Sequence, residues 1–265
     1  MKAYQKLVRS IRTRERLAVA YSGGVDSSVV ALAAREALGD RSLALMANIP
    51  TITEEEIETA RLAADEIGIE LRLVKVGVLD NEEMASNPSD RCGTCKKEIM
   101  SSLMDEAIRD GFHEIADGSM PEDQKDYRPG LRAADELGVW HPLMDVGMEK
   151  REARMVLKER GISVYNSPST TCLATRIPYG ERITEEKLSI IADVERKVRK
   201  IGFRDVRLRL YTISDGSFLG IMEVDDPLGA MEEWDTIEGY GKGIKMVLDP
   251  KGYRQGAMNE GLSNP

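Results

Sequence analysis

Short runs of aliphatic residues alternate with segments of helical periodicity over roughly the first 145 residues. In the intervening segments, apolar residues recur at the spacing of one helix face. This alternation predicts β/α units that build a parallel sheet. The predicted strands are 16–21, 42–48, 70–76 and 112–116, and the predicted helices are 25–38, 54–67, 94–110 and 146–161.

A different pattern begins after Gly180. Thr184 is a typical capping residue, and it precedes a helix whose apolar spacing continues to Ile201. Two strand-like segments, another helix and a last strand are predicted at 206–211, 218–224, 226–238 and 243–248. We therefore predict an α/β parallel-sheet domain at 1–178 and a small α+β domain for substrate binding or oligomerisation at 179–265.

The first predicted strand is followed by the sequence Ser22-Gly23-Gly24-Val25-Asp26-Ser27. The two glycines allow the backbone to approach a phosphate closely, and Ser22 and Ser27 add hydroxyl donors. The next helix presents its unpaired N–H groups and the positive end of its dipole. Because Asp26 repels phosphate, we expect it to act through Mg²⁺. The loop is therefore predicted to bind the pyrophosphate part of ATP.

The charge of the chain limits its partners. Its 265 residues carry a formal net charge of −9, with a pI of about 5.0, which disfavours a long polyanion such as nucleic acid. A small anion needs only a local group of arginines. No apolar run reaches the roughly 18 residues of a membrane span, and the start shows no apolar signal core. We therefore expect a cytoplasmic protein that acts on a small molecule, without a membrane or nucleic-acid partner.

The three cysteines of the chain are candidates for one site. Cys92 and Cys95 lie at the start of a helix, where its dipole and cations such as Lys96 favour thiolates. With Cys172, they would hold a [4Fe-4S] cluster and leave one iron open. We prefer this cluster to zinc because the chain has only two histidines. A redox-active pair and three unrelated thiols are the alternatives.

The sequence after the fourth predicted strand is a second candidate for nucleotide binding. Gly118 lies between Asp117 and Ser119, and a loop with Asp126 and Arg128 follows. Ligands of open α/β folds bind at the carboxyl edge of the sheet. We expect Gly118 and Arg128 to contact the nucleotide, although loops rich in Asp and Gly are also common as solvated turns.

Arginines form the third candidate group. Arg207 and Arg209 occupy alternate positions of a predicted strand, so their side chains face the same side. Arg176 follows Cys172, and Arg254 lies near the end of the sequence. Guanidinium groups suit phosphate or carboxylate, which predicts an anionic substrate. Surface salt bridges are the alternative.

These segments together resemble the LarE family, which belongs to the PP-loop ATP pyrophosphatase superfamily. The resemblance covers nearly the whole chain and rests on residues 22–27, 91–96, 117–119, 126–130, 172–180 and 252–259. It implies an ATP-dependent sulfur insertase. Such an enzyme converts carboxylates of a pyridinium biscarboxylate mononucleotide to thiocarboxylates, on the way to the nickel-pincer nucleotide cofactor of lactate racemase.

The resemblance also implies a mechanism. The substrate carboxylate attacks the α-phosphate of ATP, pyrophosphate leaves, and a sulfur nucleophile then displaces AMP. In one version of the family a single cysteine, here Cys172, gives up its sulfur and becomes dehydroalanine. In the other version, three cysteines hold a [4Fe-4S] cluster that carries an extra sulfide, and the presence of Cys92 and Cys95 favours it. Glu195 and Glu223 fall where the family places acids near the active site.

The predicted site therefore combines four sets of residues. The predicted catalytic residues are Cys172, Asp26, Arg176 and Glu195. The predicted contacts of ATP and Mg²⁺ are Ser22, Gly23, Gly24, Asp26, Ser27, Gly118 and Arg128. The predicted substrate contacts are Arg176, Arg207, Arg209, Glu223 and Arg254. The predicted cluster ligands are Cys92, Cys95 and Cys172.

The sequence departs from the usual family pattern at 119–123 and at Thr175, which stands in place of a serine. Three other functions compete with sulfur insertion. A tRNA-thiolating enzyme fits this acidic chain poorly, an amide-forming ligase would leave the cysteines idle, and a nucleotide and cluster sensor would release no pyrophosphate. The resemblance implies a homo-oligomer supplied by sulfide or by a sulfide-delivering protein.

Overall fold

The computed structural model describes residues 2–125, 129–168 and 170–254. The chain divides into two compact units, each made of two segments. The first unit comprises Met1–Val78 and Asp90–Thr170, and the second comprises Leu79–Ser89 and Thr171–Pro265. The predicted boundary near residue 178 lies a few residues further along the chain, and the predicted domains stay a prediction.

The elements follow one another in this order. The first unit begins with α1 (Lys2–Arg12), β1 (Leu17–Ala20), α2 (Val25–Leu38), β2 (Ser42–Asn48), α3 (Glu54–Ile67) and β3 (Glu70–Lys75). After α4 (Glu82–Ala85) of the second unit, it continues with α5 (Arg91–Arg109), β4 (Ile115–Ala116), α6 (Pro129–Glu136), α7 (Pro142–Val146) and α8 (Lys150–Glu159). The second unit then has α9 (Glu185–Lys200), β5 (Val206–Thr212), β6 (Phe218–Val224), α10 (Pro227–Glu232), α11 (Trp234–Tyr240) and β7 (Lys245–Leu248).

A four-stranded parallel sheet in the order β3-β2-β1-β4 forms the centre of the first unit. β1 pairs with β2 on one side and with β4 on the other. Leu17 and Val19 of β1 are fully buried, as are Val29 and Val30 of α2. The predicted α/β parallel-sheet fold is confirmed. Because the strands run in one direction, the loops after β1 and β4 lie at the same edge of the sheet.

Four of the predicted elements, α2, β2, α3 and β6, have the bounds that the sequence predicted. The start of α3 shows why. Thr53 Oγ1 accepts a hydrogen bond from the backbone N of Glu56, and the Glu56 carboxylate accepts one from the backbone N of Thr53 at 2.9 Å. This reciprocal cap satisfies two N–H groups that the helix leaves unpaired.

Other predictions differ from the structure. β4 is shorter than the predicted strand 112–116, because the backbone N of Phe112 still bonds the Ala107 carbonyl at the end of α5. The predicted helix 146–161 is wrong at its start, since Gly147 adopts a φ of 62° and ends α7 before α8 begins. α5 begins at Arg91, ahead of the predicted 94. Helix α1 was not predicted, although one of its faces, which carries Leu7 and Ile11, is buried.

The second unit contains a three-stranded sheet in the order β5-β6-β7. β5 and β6 are antiparallel, and β6 and β7 are parallel. The predicted single helix 226–238 is wrong, because Glu233 separates α10 from α11. In the described ranges of both units, no helix combines the length and the apolar character needed to cross a membrane.

Asn87 links the 79–89 segment to the main part of the second unit. It is fully buried, and it is the one non-glycine residue with a positive φ, 60°, in the described part of the chain. Its Nδ2 donates to the carbonyls of Ile177 at 3.2 Å and Pro178 at 2.8 Å. Its own carbonyl accepts from the backbone N of Gly180 at 2.9 Å. Asn87 therefore fixes the backbone directly after Arg176.

We expect Asn87→Ala to lower the free energy of unfolding by about 2–3 kcal/mol, because it removes two buried hydrogen bonds and makes the positive φ costly. Asn87→Asp keeps a residue that tolerates this φ but loses both donors, so it should also destabilise. Urea unfolding measures both effects. The exposed Asn166 gives the control, with a change of no more than about 0.5 kcal/mol for Asn166→Ala. Equal stability of Asn87→Ala and the wild type would contradict the role of Asn87 in fixing the backbone after Arg176.

Candidate active site

The phosphate loop connects β1 to α2 and depends on glycine at position 23. Gly23 has a φ of 71°, a conformation that side chains disfavour. A Cβ at Gly23 would lie only 2.6 Å from the Cβ of Ala60 on α3. The loop can therefore pack against α3 only with glycine at this position.

Two hydroxyl groups close the loop. Ser27 Oγ accepts from the backbone N of Ser22 at 3.1 Å, lies 3.1 Å from Ser22 Oγ, and donates to the Gly24 carbonyl at 3.2 Å. Ser27 is buried, whereas Ser22 is exposed. Ser27 therefore shapes the loop, and Ser22 is the hydroxyl that a ligand in solution can reach.

Gly24 leaves space beside the loop. Its φ of −81° is ordinary, and a Cβ there would meet nothing closer than Ser22 Oγ at 3.5 Å. Gly24 is also the N-cap of α2 and supplies no side-chain oxygen to the N–H groups of the first turn. A phosphate can approach this backbone closely, and the N-terminal end of α2 attracts it.

Gly118 lies beside the phosphate loop. A Cβ at Gly118 would be 2.6 Å from the backbone N of Ser27 and 2.8 Å from the carbonyl carbon of Asp26. The chain that leaves β4 thus packs directly on the backbone of the loop. Of the other predicted nucleotide contacts, Arg128 lies outside the described residues, as does Asp126.

Asp26 has two different oxygen environments. Oδ2 accepts a hydrogen bond from Lys150 Nζ at 2.5 Å. Oδ1 is buried and has no hydrogen-bond partner among the described residues. Burial raises the pKa of Asp26, and this effect outweighs the opposing effect of Lys150. A buried carboxylate oxygen without a donor is a suitable ligand for Mg²⁺, which prefers oxygen, so the residues present fit the predicted metal.

Asp117 anchors a polar network next to Gly118. It is buried and accepts from His141 Nδ1 at 2.7 Å, and Lys96 Nζ lies 3.6 Å away. Although burial alone raises the pKa of Asp117, His141 and Lys96 together lower it. The Asp117 hydrogen bond raises the pKa of His141, whose Nε2 bonds Asp135 at 3.0 Å. Because carboxylates only accept, both ring nitrogens donate when His141 is protonated.

Cys92 and Cys95 lie in the first turn of α5, where Cys92 is exposed and Cys95 is half-buried. Cys172 is an exposed residue of the second unit. All three cysteines lie in the described part of the chain, and none of them forms a disulfide. Within the described residues, no group of three or more His, Cys, Asp or Glu side chains is arranged to hold a metal ion.

In the second unit, Arg176 holds the backbone on both sides of Cys172. Arg176 is buried, and its Nε and Nη2 donate to the two carboxylate oxygens of Glu195 at 2.9 and 3.1 Å. Its Nη1 donates to the carbonyls of Thr171 at 2.8 Å and Cys172 at 3.1 Å. The guanidinium group is therefore fully used within the protein, and the cysteine thiol is left exposed.

Glu195 on α9 is fully buried and accepts further hydrogen bonds. The backbone N of Leu208 donates to it at 3.0 Å, and Arg199 Nη2 donates at 2.6 Å. Such a set of donors stabilises the charged carboxylate. In this arrangement Glu195 orients Arg176 and connects α9 to β5.

Arg207 and Arg209 occupy alternate positions of β5, as predicted, but the two arginines have different partners. Arg209 is buried, pairs with both oxygens of Glu223 at 3.1 and 3.0 Å, and donates to the Thr175 carbonyl at 2.7 Å. Arg207 has no carboxylate in an ion pair among the described residues; it stacks 5.0 Å from the centre of the Tyr253 ring. Arg207 is therefore the arginine of this pair that remains able to bind an anion.

Arg207 lies near other charged groups, the cations Arg176 and Arg199 and the carboxylate of Glu195. Burial lowers the pKa of Arg207, and the charge of nearby Arg176 adds to this effect. A guanidinium group remains protonated in proteins, so the arrangement favours an incoming anion over a further cation. Arg254 is the last predicted substrate contact, and its Nη1 lies 3.4 Å from Asp249 Oδ2.

Sequence reasoning missed several residues of these sites. Lys150 and Asn87 belong to no recognised motif, and their partners are far away in the sequence. Lys96 was recognised only as a cation beside the cysteines, and its proximity to Asp117 was not foreseen. His141 belongs to no predicted site, and it bonds two carboxylates. The signal for Lys150 was its place at the start of a helix that follows a β/α unit, which by itself does not identify a site.

A phosphate loop on a parallel sheet defines a nucleotide-binding α/β protein, and residues 3–101 match the family model described as NAD synthase. The chain is 33% identical over 259 residues to an uncharacterized protein of Synechocystis sp., covering 94% of both chains. It is 30% identical over 259 residues to the pyridinium-3,5-bisthiocarboxylic acid mononucleotide synthase of Lactiplantibacillus plantarum, covering 97% of this chain and 94% of that one. It is also 30% identical over 247 residues to the tRNA-specific 2-thiouridylase MnmA of Streptomyces griseus, covering 85% of this chain and 60% of that one.

The chain belongs to the LarE family, as its motifs predicted. The predicted enzyme class, an ATP-dependent sulfurtransferase of the PP-loop type, is confirmed with it. Family membership also supports ATP and Mg²⁺ as ligands. The roles of individual residues stay predictions.

Substitutions at Gly24 and Gly118 distinguish an effect on ligand binding from an effect on folding. We expect Gly24→Ala to cost at most about 1 kcal/mol of stability and to weaken Mg·ATP binding by about tenfold or more, because the methyl group enters the space beside the loop. Gly118→Ala should destabilise by about 1–3 kcal/mol, because its Cβ meets backbone. Thermal unfolding and calorimetric titration measure the two effects.

Gly239 supplies the matched control for these two variants. It lies in α11, and a Cβ there would meet nothing within 4 Å. Gly239→Ala should therefore change neither stability by more than about 1 kcal/mol nor ATP binding. Wild-type ATP affinity in Gly24→Ala would show that phosphate does not approach this backbone.

Proposed function

We propose that this protein inserts sulfur into a pyridinium biscarboxylate mononucleotide. It would activate a carboxylate by adenylation and replace AMP with sulfur, giving a thiocarboxylate on the way to a nickel-pincer nucleotide cofactor. The observation that carries this proposal is the similarity to a pyridinium-3,5-bisthiocarboxylic acid mononucleotide synthase, which extends over nearly the full length of both chains. The phosphate loop supplies the ATP chemistry that such a step requires.

In the adenylation step, the backbone of Gly23 and Gly24 and the Ser22 hydroxyl bind the phosphates of ATP, and Ser27 keeps the loop closed. Asp26 would hold Mg²⁺ through its buried oxygen, and the ion would supply positive charge beside the phosphates. A substrate carboxylate oxygen then forms a bond to the α-phosphorus, and the bond from that phosphorus to the bridging oxygen breaks, which releases pyrophosphate. Positive charge at the loop and metal stabilises the departing phosphates. Gly118 and Arg128 are proposed to contact the nucleotide.

In the second unit, the proposed roles divide between binding and positioning. Arg207 and Arg254 bind the anionic groups of the substrate, which Arg207 can do because it has no carboxylate partner among the described residues. Arg176 and Arg209, paired with Glu195 and Glu223, act on the substrate chiefly by fixing the chain around Cys172. A cysteine held in this way presents its thiol in one direction.

The sulfur donor in this proposal is a [4Fe-4S] cluster held by Cys92, Cys95 and Cys172. Two observations support it: none of the three thiols forms a disulfide, and Cys92, Cys95 and Lys96 lie close together near the start of α5. Sulfide, free or delivered by a protein, replenishes the sulfur. The version in which Cys172 gives up its own sulfur is the alternative. We further propose a cytoplasmic homo-oligomer.

A second candidate function is tRNA thiolation. The similarity to tRNA-specific 2-thiouridylase MnmA favours it, since 85% of this chain takes part in that match. The net charge of −9 opposes it, because RNA binding requires a basic surface. The two functions differ in the acceptor that triggers pyrophosphate release.

We expect pyrophosphate release from Mg·ATP to depend on the pyridinium biscarboxylate mononucleotide and not on tRNA. Asp26→Asn should lower this rate by about a hundredfold or more, because the metal loses its charged ligand, while Cys172→Ala should still release pyrophosphate in the first turnover. The assay follows pyrophosphate and AMP under anaerobic conditions. Release that responds to tRNA alone would overturn the proposed substrate, and binding of ATP without any release would favour a sensor.

The donor is tested by iron and acid-labile sulfide content after anaerobic reconstitution. About four irons per chain are expected in the wild type, and Cys92→Ala, Cys95→Ala and Cys172→Ala should each lower this content. A wild type without iron, in which Cys172 becomes dehydroalanine and loses the mass of H₂S for each sulfur atom transferred, would replace the cluster with the sacrificial version. Mass spectrometry of the spent protein makes that distinction.

A further inference from the structure

A cavity of about 620 Å³ lies in the first unit, at the amino ends of two neighbouring strands. It is lined by residues 13–16, which lead into β1, and by Gly111, His113 and Glu114, which lead into β4. The strands β1 and β4 pair in parallel, so both of these segments lie at the same edge of the sheet. The function proposed above uses none of the residues that line this cavity.

The cavity is separate from the phosphate loop. β1 leads from Arg16 towards the loop that starts at Ser22, and β4 leads from Glu114 towards Gly118. Because each strand residue spans about 3.3 Å, β1 alone separates the cavity from the loop by roughly 13 Å. The catalytic ligand of an open α/β fold binds at the carboxyl edge of the sheet. A molecule bound at the opposite edge would therefore be a second ligand.

Two arginines at the cavity are held against aromatic rings. The Cζ atom of Arg16 lies 4.0 Å from the centre of the Phe112 ring, and that of Arg14 lies 4.2 Å from the centre of the Trp140 ring. Such contacts hold a guanidinium group in place but accept none of its five N–H donors. The rings therefore position both cations and leave their hydrogen-bonding capacity for other groups.

The two arginines differ in their partners. Arg14 Nη1 donates to Glu114 Oε1 at 2.7 Å. Among the described residues, Arg16 has neither a hydrogen-bond acceptor nor a carboxylate in an ion pair, and its Nε is buried. Its Nη1 lies close to the backbone of Gly111, where a Cβ would be only 3.2 Å away. Buried donors without an acceptor are costly, so an oxyanion in the cavity would stabilise Arg16.

The other groups of the cavity indicate more than a bare anion. The volume of about 620 Å³ falls within the range of small-molecule sites. The carboxylates of Glu15 and Glu114 only accept hydrogen bonds, and Glu15 is exposed. A ligand that fits both charges therefore combines an oxyanion for the arginine with hydroxyl groups for the carboxylates.

We propose that this cavity binds a small organic phosphate, whose phosphate group pairs with Arg16 and whose hydroxyl groups donate to Glu15 and Glu114. The binding is reversible and involves no covalent step. It does not depend on the proposed sulfur insertion, because the phosphate loop takes no part in it. The alternative is a structural role, in which the stacked arginines only hold the segments before β1 and β4.

The experiment is a calorimetric titration of the full chain with glucose 1-phosphate, and with glucose as the probe that lacks the phosphate. The variants are Arg16→Gln, Arg16→Lys and Glu15→Ala. Arg12→Gln is the matched control for the loss of one positive charge, since Arg12 is an exposed residue of α1 that does not line the cavity. Gly24→Ala tests whether the phosphate loop binds the probe instead. Thermal unfolding of each variant accompanies the titrations.

We expect Arg16→Gln to weaken the binding of glucose 1-phosphate by about tenfold or more. Arg16→Lys should recover only part of this loss, because lysine keeps the charge but not the planar fork of donors. Glu15→Ala should weaken binding by about threefold or more, and its exposed position keeps the fold intact. Arg12→Gln and Gly24→Ala should bind within about twofold of the wild type, and glucose should not bind.

Three results would overturn the proposal. One is wild-type affinity for glucose 1-phosphate in Arg16→Gln, which would leave Arg16 with a structural role. Another is loss of binding in Gly24→Ala but not in Arg16→Gln, which would place the probe at the phosphate loop. The third is a wild type that does not bind the probe at millimolar concentrations. None of these results bears on pyrophosphate release, so the proposed function is tested independently.

Discussion

The nucleotide site depends on backbone packed directly against backbone. Gly23 approaches Ala60 of α3, and Gly118 approaches Ser27, at distances that leave no room for a Cβ. These contacts hold the phosphate loop from two sides, with no side chain larger than the Ala60 methyl group between the loop and its supports. The N–H groups and hydroxyls of the loop are thereby fixed before a ligand arrives, which reduces the ordering that binding itself must impose.

The second unit fixes its functional segment by the opposite means. Buried ion pairs join Arg176 to Glu195 and Arg209 to Glu223, and both arginines also donate to carbonyls of the 171–175 segment. Burying such charges is costly unless each of them is fully hydrogen-bonded, and here each guanidinium group has both a carboxylate and a carbonyl. These hydrogen bonds offset the cost of burial, and they hold the chain around Cys172 in one conformation.

Sequence patterns predicted the parts of this protein that depend on local order. The loop at 22–27 and the helix capped by Thr53 could be recognised because the residues that determine each of these structures lie within a few positions of one another. The partners of Lys150 and Asn87 lie 124 and about 90 residues away, so no spacing rule reveals them. The two predicted arginines of β5 were placed on the correct face, but their different partners follow from tertiary structure, since in the described part of the chain the Glu223 carboxylate pairs with Arg209.

An acidic chain can still bind two anions if its cations are placed locally. The net charge of −9 is spread over the whole protein, whereas charge near a binding group acts over only about 8–10 Å at physiological ionic strength. In the first unit, Lys150 and the start of α2 face the phosphate loop, and in the second, Arg207 lies near the charge of Arg176. Each of these is a local group of cations, whereas a nucleic acid requires a long basic surface. The local distribution of charge therefore argues for a mononucleotide substrate more strongly than the total charge argues against any anion.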